Sequence, residues 1–298
     1  MNALLPLTDL DSLLPPDEPF TPAMARAAGL RRSTLERMLR DGLLRRPLRG
    51  VYVATSTVDS VEVRAAALRL AVAPQAVVVD RTAGWLHGFA AWAPADEQAP
   101  PVEVLAPRRH GAGAGGRRLV PRDLMNVDGL RVTTPLRTAL DLGRTLAPSV
   151  ALAVLDELLA AGACTHTALL TELPRFTGLG GVSQLRCVVA QADGRSQECA
   201  ESVLRLRWHR AELPTATPGL VVAAGARAVR LALGVEGRRF GAVLAHSVTA
   251  DDLLALQGAG WRVVVLARDR VLHTDHTLWV RHLEREWHQH LLAELEQA

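Results

Sequence analysis

Between residues 21 and 53 the spacing of apolar positions changes character twice. Thr21-Pro22 supplies a threonine cap and a proline in the first turn, where no hydrogen bond is lost. Ala23, Ala27 and Ala28 follow as small packing residues, and Gly29 marks the end of that helix. Leu35, Met38 and Leu39 then recur at helical spacing, with Arg37 and Arg40 off their stripe. Ser33-Thr34-Leu35-Glu36 reads as a capping box, with Ser33 as the N-cap and Glu36 reaching back. Asp41-Gly42 stops this second helix. Leu43–Arg46 reads as a strand, Pro47–Arg49 as its turn and Gly50–Val53 as the returning strand. Helix, short turn, basic helix and basic hairpin together predict a winged helix-turn-helix, a DNA-binding module.

Further along, helical and extended patterns alternate. Residues 55–73 read as a helix with Val58, Val61, Ala65, Leu68 and Val72 on one side, followed by short strands at 76–79 and 102–106. Glycines crowd residues 108–118, but no Gly-Lys-Ser/Thr follows, so that stretch reads as a loop rather than a phosphate cradle. A further segment over 129–142, with Arg137 and Asp141 four apart on a helix, and a helix over 149–161 come next. The C-terminal third reads as a helix near Glu201, a hairpin over 221–232, a strand over 233–237, a helix over 249–258, a strand over 260–266 and a helix over 276–296. The fold class expected is α/β (α+β), in four parts: a tail over 1–19, the winged helix over 20–55, an α/β middle domain over 56–180 and an α/β domain over 193–298.

At 298 residues, with 49% hydrophobic and 22% charged side chains, the chain has the material for more than one core. No apolar run approaches a membrane span, and the N-terminus carries acids and prolines rather than a basic signal region. A cytoplasmic location without membrane contact is expected. Cys164, Cys187 and Cys199 show no metal or disulfide spacing, and the pairs His273/His276 and His288/His290 lack supporting acids or cysteines. No cofactor and no metal are therefore expected.

All 34 basic residues are arginine, which coding bias explains, so their placement is more informative than their number. Residues 21–53 hold eight arginines against Glu36 and Asp41, a net +6, whereas residues 1–20 carry four acids and no base. One short segment thus holds the positive field expected of a phosphate-binding surface. Thr34 and Arg37 are the candidates for base edges, with Arg40 on the same helix. Arg31, Arg32, Arg45, Arg46 and Arg49 are the candidates for phosphate. The partner expected is double-stranded DNA.

The run Phe20-Thr21…Ala28-Gly29-Leu30…Gly42-Leu43-Leu44…Arg49-Gly50-Val51-Tyr52 resembles the N-terminal domain of AbiEi-type antitoxins. Trp85-Leu86-His87-Gly88 and Gly129–Leu142, with Thr134-Pro135, Arg137-Thr138 and Asp141, resemble that family's later landmarks. The resemblance implies a winged-helix regulator that represses its own operon and, in toxin-bearing relatives, antagonises a nucleotidyltransferase toxin. Trp85 and His87 read as a buried anchor and a hydrogen-bonded histidine, and Arg137 and Asp141 as an i,i+4 ion pair.

Asp193–Ser196, Glu201–Arg205, Glu236–Phe240 and Gly260–Leu266 resemble very-short-patch repair endonucleases, members of the restriction-endonuclease-like superfamily. Such enzymes hold Mg²⁺ with carboxylates on neighbouring strands. Here the hairpin has no acid, Gly234 stands in the first acidic place, Glu236 replaces the aspartate and Asp252 stands where a base is usual. Glu201 and Glu236 are the acids left for an active enzyme; otherwise Glu201 is a surface residue of a first helical turn. The expected function is a non-catalytic DNA-binding regulator with a degenerate endonuclease-like domain. The alternatives are a metal-dependent endonuclease targeted by the winged helix and a toxin-neutralising protein. Trp279 and Trp287 fit a homodimer interface or a core equally well.

Overall fold

The computed structural model describes residues 17–89, 102–105, 119–211, 213–273 and 275–297. The glycine-rich stretch 108–118 and most of the acidic tail lie outside these. The fold is mixed α/β, as expected. The chain divides into two compact units, Met1–Leu142 and Gly143–Ala298.

The first unit begins with helices α1 (Pro22–Ala27) and α2 (Arg32–Arg40) and the antiparallel strands β1 (Leu44–Leu48) and β2 (Val51–Ala54). Helix α3 (Val61–Ala71) follows. Its start corrects the helix expected from residue 55: Ser60 is the N-cap, its hydroxyl accepting from Val63 N at 3.3 Å. Residues 55–59 are drawn instead towards the hairpin. Thr55 N donates to the Leu43 carbonyl, and buried Thr57 bonds Asp17 through its hydroxyl at 3.1 Å. Val58 is consequently 79% exposed, and Ala65, Ala67 and Leu68 form the packed side of α3.

A four-stranded sheet completes this unit in the order β4 (Val104–Leu105), β3 (Val77–Val78), β6 (Leu130–Thr133), β5 (Leu124–Val127). The inner pair β3 and β6 is parallel and the outer pairs are antiparallel. Helix α4 (Asp80–Leu86) leaves β3 directly, and Glu103 accepts the Arg81 N–H at 2.7 Å in its first turn. Helix α5 (Pro135–Thr145) follows β6 and contains the boundary between the units.

The second unit has α6 (Pro148–Ala160), α7 (His166–Glu172), α8 (Val182–Gln191) and α9 (Cys199–Trp208), with α6 packed against α8 and α9. Buried Asp156 joins α6 to α9, accepting from Arg205 Nη2 and Ser202 Oγ, each at 2.5 Å, and from Asp193 N at 2.8 Å. Burial pushes this carboxyl above the usual range, against the downward pull of Arg205 and the hydrogen bonds.

After α9 a sheet runs in the order β12 (Arg262–Leu266), β11 (Phe240–Leu244), β10 (Leu233–Val235), β7 (Thr217–Pro218). Strands β11 and β12 are parallel; the other neighbours are antiparallel. A separate hairpin, β8 (Val221–Ala224) with β9 (Arg227–Arg230), precedes β10. Every residue of β11 is buried, because apolar clusters cover both of its faces. On one side lie α9 and the long closing helix α11 (His276–Gln297); on the other lie the β8–β9 hairpin and α10 (Ala250–Gly258). Phe240 meets Trp287 at 5.2 Å and Trp208 at 5.9 Å between ring centroids. Trp279 (1% exposed) and Trp287 (8%) belong to this core, which settles their role within the unit.

Candidate nucleic-acid interface

The N-terminal module is held by a small core of Phe20, Ala25, Leu30, Leu35, Met38 and Leu44. Thr21 caps α1 as its sequence suggests, accepting from Met24 N at 3.2 Å, and Gly29 takes the left-handed conformation (φ +88°) that turns the chain. The turn is short. Leu30 folds back so that its N–H reaches the Ala25 carbonyl at 2.9 Å, and α2 starts at once with Arg31 as its N-cap.

That early start corrects the expected capping box. Ser33 lies inside the first turn, exposed, and makes no cap. Glu36 is released from the backbone and accepts from Arg32 Nε at 2.8 Å. With these side chains 88% and 58% exposed, the i,i+4 pair contributes only about 0.3–0.5 kcal/mol. Tertiary packing explains the shift: Leu30 enters the core, and only a helix beginning immediately after it turns Leu35 and Met38 inward.

Once those residues face the core, Arg32, Ser33, Glu36 and Arg40 are exposed and Thr34 and Arg37 are half-buried on the flanks. Ser33 is therefore a candidate contact that sequence reasoning missed. Its local signal, a serine three residues before a glutamate, pointed to a cap instead.

In the wing, β1 runs to Leu48 and the tight turn is Arg49-Gly50, with Gly50 at φ +79°, rather than Pro47–Arg49. Pro47 fits within the strand because the register slips between Arg45 and Leu48, and a bulge needs no ladder N–H there. Phe20 and Tyr52 exchange backbone hydrogen bonds at 2.8 Å each and stack at 6.0 Å. Arg46 lies over the Tyr52 ring at 5.2 Å and reaches its hydroxyl at 3.4 Å. Arg45 turns inward and donates to the Thr57 carbonyl at 3.1 Å; Arg49 is exposed at the tip. Among the described residues Arg31, Arg37, Arg40, Arg46 and Arg49 form no ion pair, so α2 and the wing carry unneutralised guanidiniums.

Deeper in the first unit, Arg137 donates to Asp141 at 2.7 Å, as its spacing suggests, and also to Asp123 at 3.1 Å, all three buried. Asp123 had no periodic signal. His87 Nε2 and the Thr133 carbonyl lie 2.7 Å apart, and burial lowers the pKa of this histidine; Trp85 is buried under the Arg64 guanidinium.

In the second unit Glu201 is not a surface residue. It is 3% exposed and takes Arg230 Nη1 and Nη2 at 2.6 and 2.8 Å, and the Gln197 N–H at 2.8 Å. The first turn of α9 faces the interior, and strand β9 supplies the cation that its buried carboxylate requires. Glu236 lies in an exposed turn between β10 and β11. Asp252 caps α10 with Thr249 and bonds Arg227 at 3.0 Å. No group of three His, Cys, Asp or Glu side chains is placed to hold a metal ion among the described residues. None of the helices there is long and apolar enough to cross a membrane.

Residues 18–55 match the model of a transcriptional regulator, AbiEi antitoxin, and residues 75–187 match that of the AbiEi antitoxin C-terminal domain. Two Mycobacterium tuberculosis proteins, "Uncharacterized protein MT2308" of strain CDC 1551 / Oshkosh and "Uncharacterized protein Rv2248" of strain ATCC 25618 / H37Rv, are each 30% identical over 178 residues. The shared stretch covers 59% of this chain and 63% of each relative, less than two thirds of their length. With its winged helix and the segment beyond it both matched, across about half of the sequence, the chain belongs to the AbiEi antitoxin family.

Proposed function

We propose that the protein is a sequence-specific, non-catalytic DNA-binding regulator that acts on its own operon. The observation carrying this reading is the outward face of α2 beside the wing, where guanidiniums stand without carboxylate partners on a helix-turn-helix frame. In such a frame the second helix enters the major groove and the wing follows phosphate. Thr34, Arg37 and the newly exposed Ser33 are proposed for base edges. Arg31, Arg32, Arg40, Arg46 and Arg49 are proposed for phosphate, with Arg45 bracing the wing through Thr57. The proposed setting is the cytoplasm. A homodimer would match paired half-sites, and a nucleotidyltransferase toxin is the proposed protein partner.

Residues 193–298 are proposed to be a degenerate endonuclease-like domain that does not cut. The order helix, five strands (β7, β10 and β11 in one sheet, β8 and β9 in a hairpin), helix, strand, with β11 and β12 parallel, supports the fold reading. The engagement of Glu201 by Arg230 supports the loss of chemistry.

The test is selection of fragments of the source genome on the full-length protein. Fragments from upstream of its own gene are expected; fragments recovered without sequence preference would overturn specific regulation. In parallel, supercoiled plasmid with Mg²⁺ or Mn²⁺ is expected to stay supercoiled. Nicking that disappears in Glu236→Ala would restore the endonuclease reading.

A further inference from the structure

We infer that Glu36 sets the base preference of the α2 surface by accepting a hydrogen bond from the N4 amine of cytosine; this rests on the DNA-binding reading above. Glu36 carries the only carboxylate among the residues that α2 exposes, one turn from Arg32 on one side and Arg40 on the other. In a groove lined by phosphate an unpaired carboxylate is repelled, so its presence there disfavours generic DNA. A base edge relieves the repulsion only by offering a donor, and the major groove offers two, cytosine N4 and adenine N6. A carboxylate only accepts, and on adenine it would also face the N7 acceptor beside N6. Cytosine presents its donor without that neighbour. The free protein keeps Glu36 on Arg32 at 2.8 Å, but both side chains are exposed, so the pair parts readily. Arg32 is then free for phosphate or for the guanine of a neighbouring pair.

The reading makes three variants differ in kind. Sites are selected from a random double-stranded pool on the full-length protein, and affinities for the selected site and its point variants are then measured at several salt concentrations. The wild type is expected to select one cytosine whose replacement lowers affinity roughly tenfold. Glu36→Ala is expected to flatten that position to under about twofold. On random DNA, where Glu36 stays on Arg32, the variant is also expected to bind more tightly and with a log–log salt slope steeper by about 0.9, because Arg32 is no longer neutralised. Glu36→Gln is expected to move the preference to adenine, whose N6 and N7 match a side-chain amide. Glu36 is exposed, so unchanged thermal midpoints are expected of both variants. A Glu36→Ala protein that keeps the wild-type preference overturns the inference while leaving DNA binding intact. A folded wild-type protein that retains no DNA overturns the parent reading as well.

Discussion

The wing can be interrogated by removing its two outermost guanidiniums together, Arg46→Ala with Arg49→Ala. Arg45 is unsuitable because its head group is committed to the Thr57 carbonyl, so its loss mixes folding with binding. Arg31, Arg32, Arg40, Arg46 and Arg49 are the arginines proposed for phosphate. If all five neutralise phosphates, the slope of log affinity against log salt is about −4.5, at roughly −0.9 per contact. The double variant then has a slope near −2.7, about −0.9 for each of the three that remain. Raising salt from about 50 to 200 mM weakens each lost contact by about 3.5-fold, so the wild type loses about twelvefold more affinity over that interval than the variant.

Stability should hardly change. Arg46 lies over Tyr52 at an exposed site, where a cation–π contact is worth about 0.5–1 kcal/mol, and Arg49 makes no ion pair among the described residues. Titration of labelled duplex by anisotropy at four salt concentrations, on a selected site and on a scrambled one, reads the slopes. Equal slopes for the two proteins would refute the placement of the wing on phosphate. A loss confined to the selected site would mean that the wing reads bases.

Three further outcomes test the packing within each unit. Arg205→Met removes the cation that compensates buried Asp156 and is expected to cost about 3–5 kcal/mol in urea unfolding, whereas Asp156→Leu with Arg205→Met recovers most of that; additive losses would refute the coupling. Gly181→Ala is expected to lower the thermal midpoint well beyond Gly162→Ala. Both residues have positive φ, a conformation costing roughly 1–2 kcal/mol with a side chain, but only at Gly181 does the added Cβ collide with the Arg144 carbonyl. His87 has a folded pKa below its usual 6.5, so the unfolded chain takes up a proton that the folded one refuses, and stability falls as pH drops through 6.5. Urea midpoints at pH 7.5 and 5.5 are expected to converge in His87→Gln, and an unchanged difference would remove His87 from the acid response.

What the sequence made legible was chiefly local. The Thr21 cap, the glycine stop at Gly29 and the i,i+4 pair of Arg137 and Asp141 depend on neighbours within a turn or two, and each stands where its pattern indicates. The misreadings share another property: a distant partner overrode a sound local pattern. Ser33 and Glu36 have capping-box spacing, yet Leu30 and the core beneath it decide where α2 begins. Val58 has helical spacing, yet Thr57 is held by Asp17, forty residues away. Glu201 looks like an acid suited to an exposed helix start, yet it is closed off by Arg230, twenty-nine residues on. Periodicity reports which face an element buries, but not the long-range group that neutralises a buried charge.

The same distinction changes what the arginines mean. Counted along the sequence, their abundance is a property of composition, and residues 21–53 differ from the remainder only by a net charge of +6. Counted by partner, the difference is one of state. Between residues 193 and 298, Arg195, Arg205, Arg227, Arg230, Arg262 and Arg268 are each held by a carboxylate, so their fields are cancelled within a few ångströms. In the winged helix, among the described residues, Arg32 alone has such a partner, and that partner is exposed and weakly bound. A polyanion approaching within a Debye length meets free charge on α2 and the wing, whereas many of the C-terminal guanidiniums present neutralised pairs. Unpaired guanidiniums crowded into one short segment, more than arginine number, therefore favour the N-terminal module as the surface proposed to meet DNA.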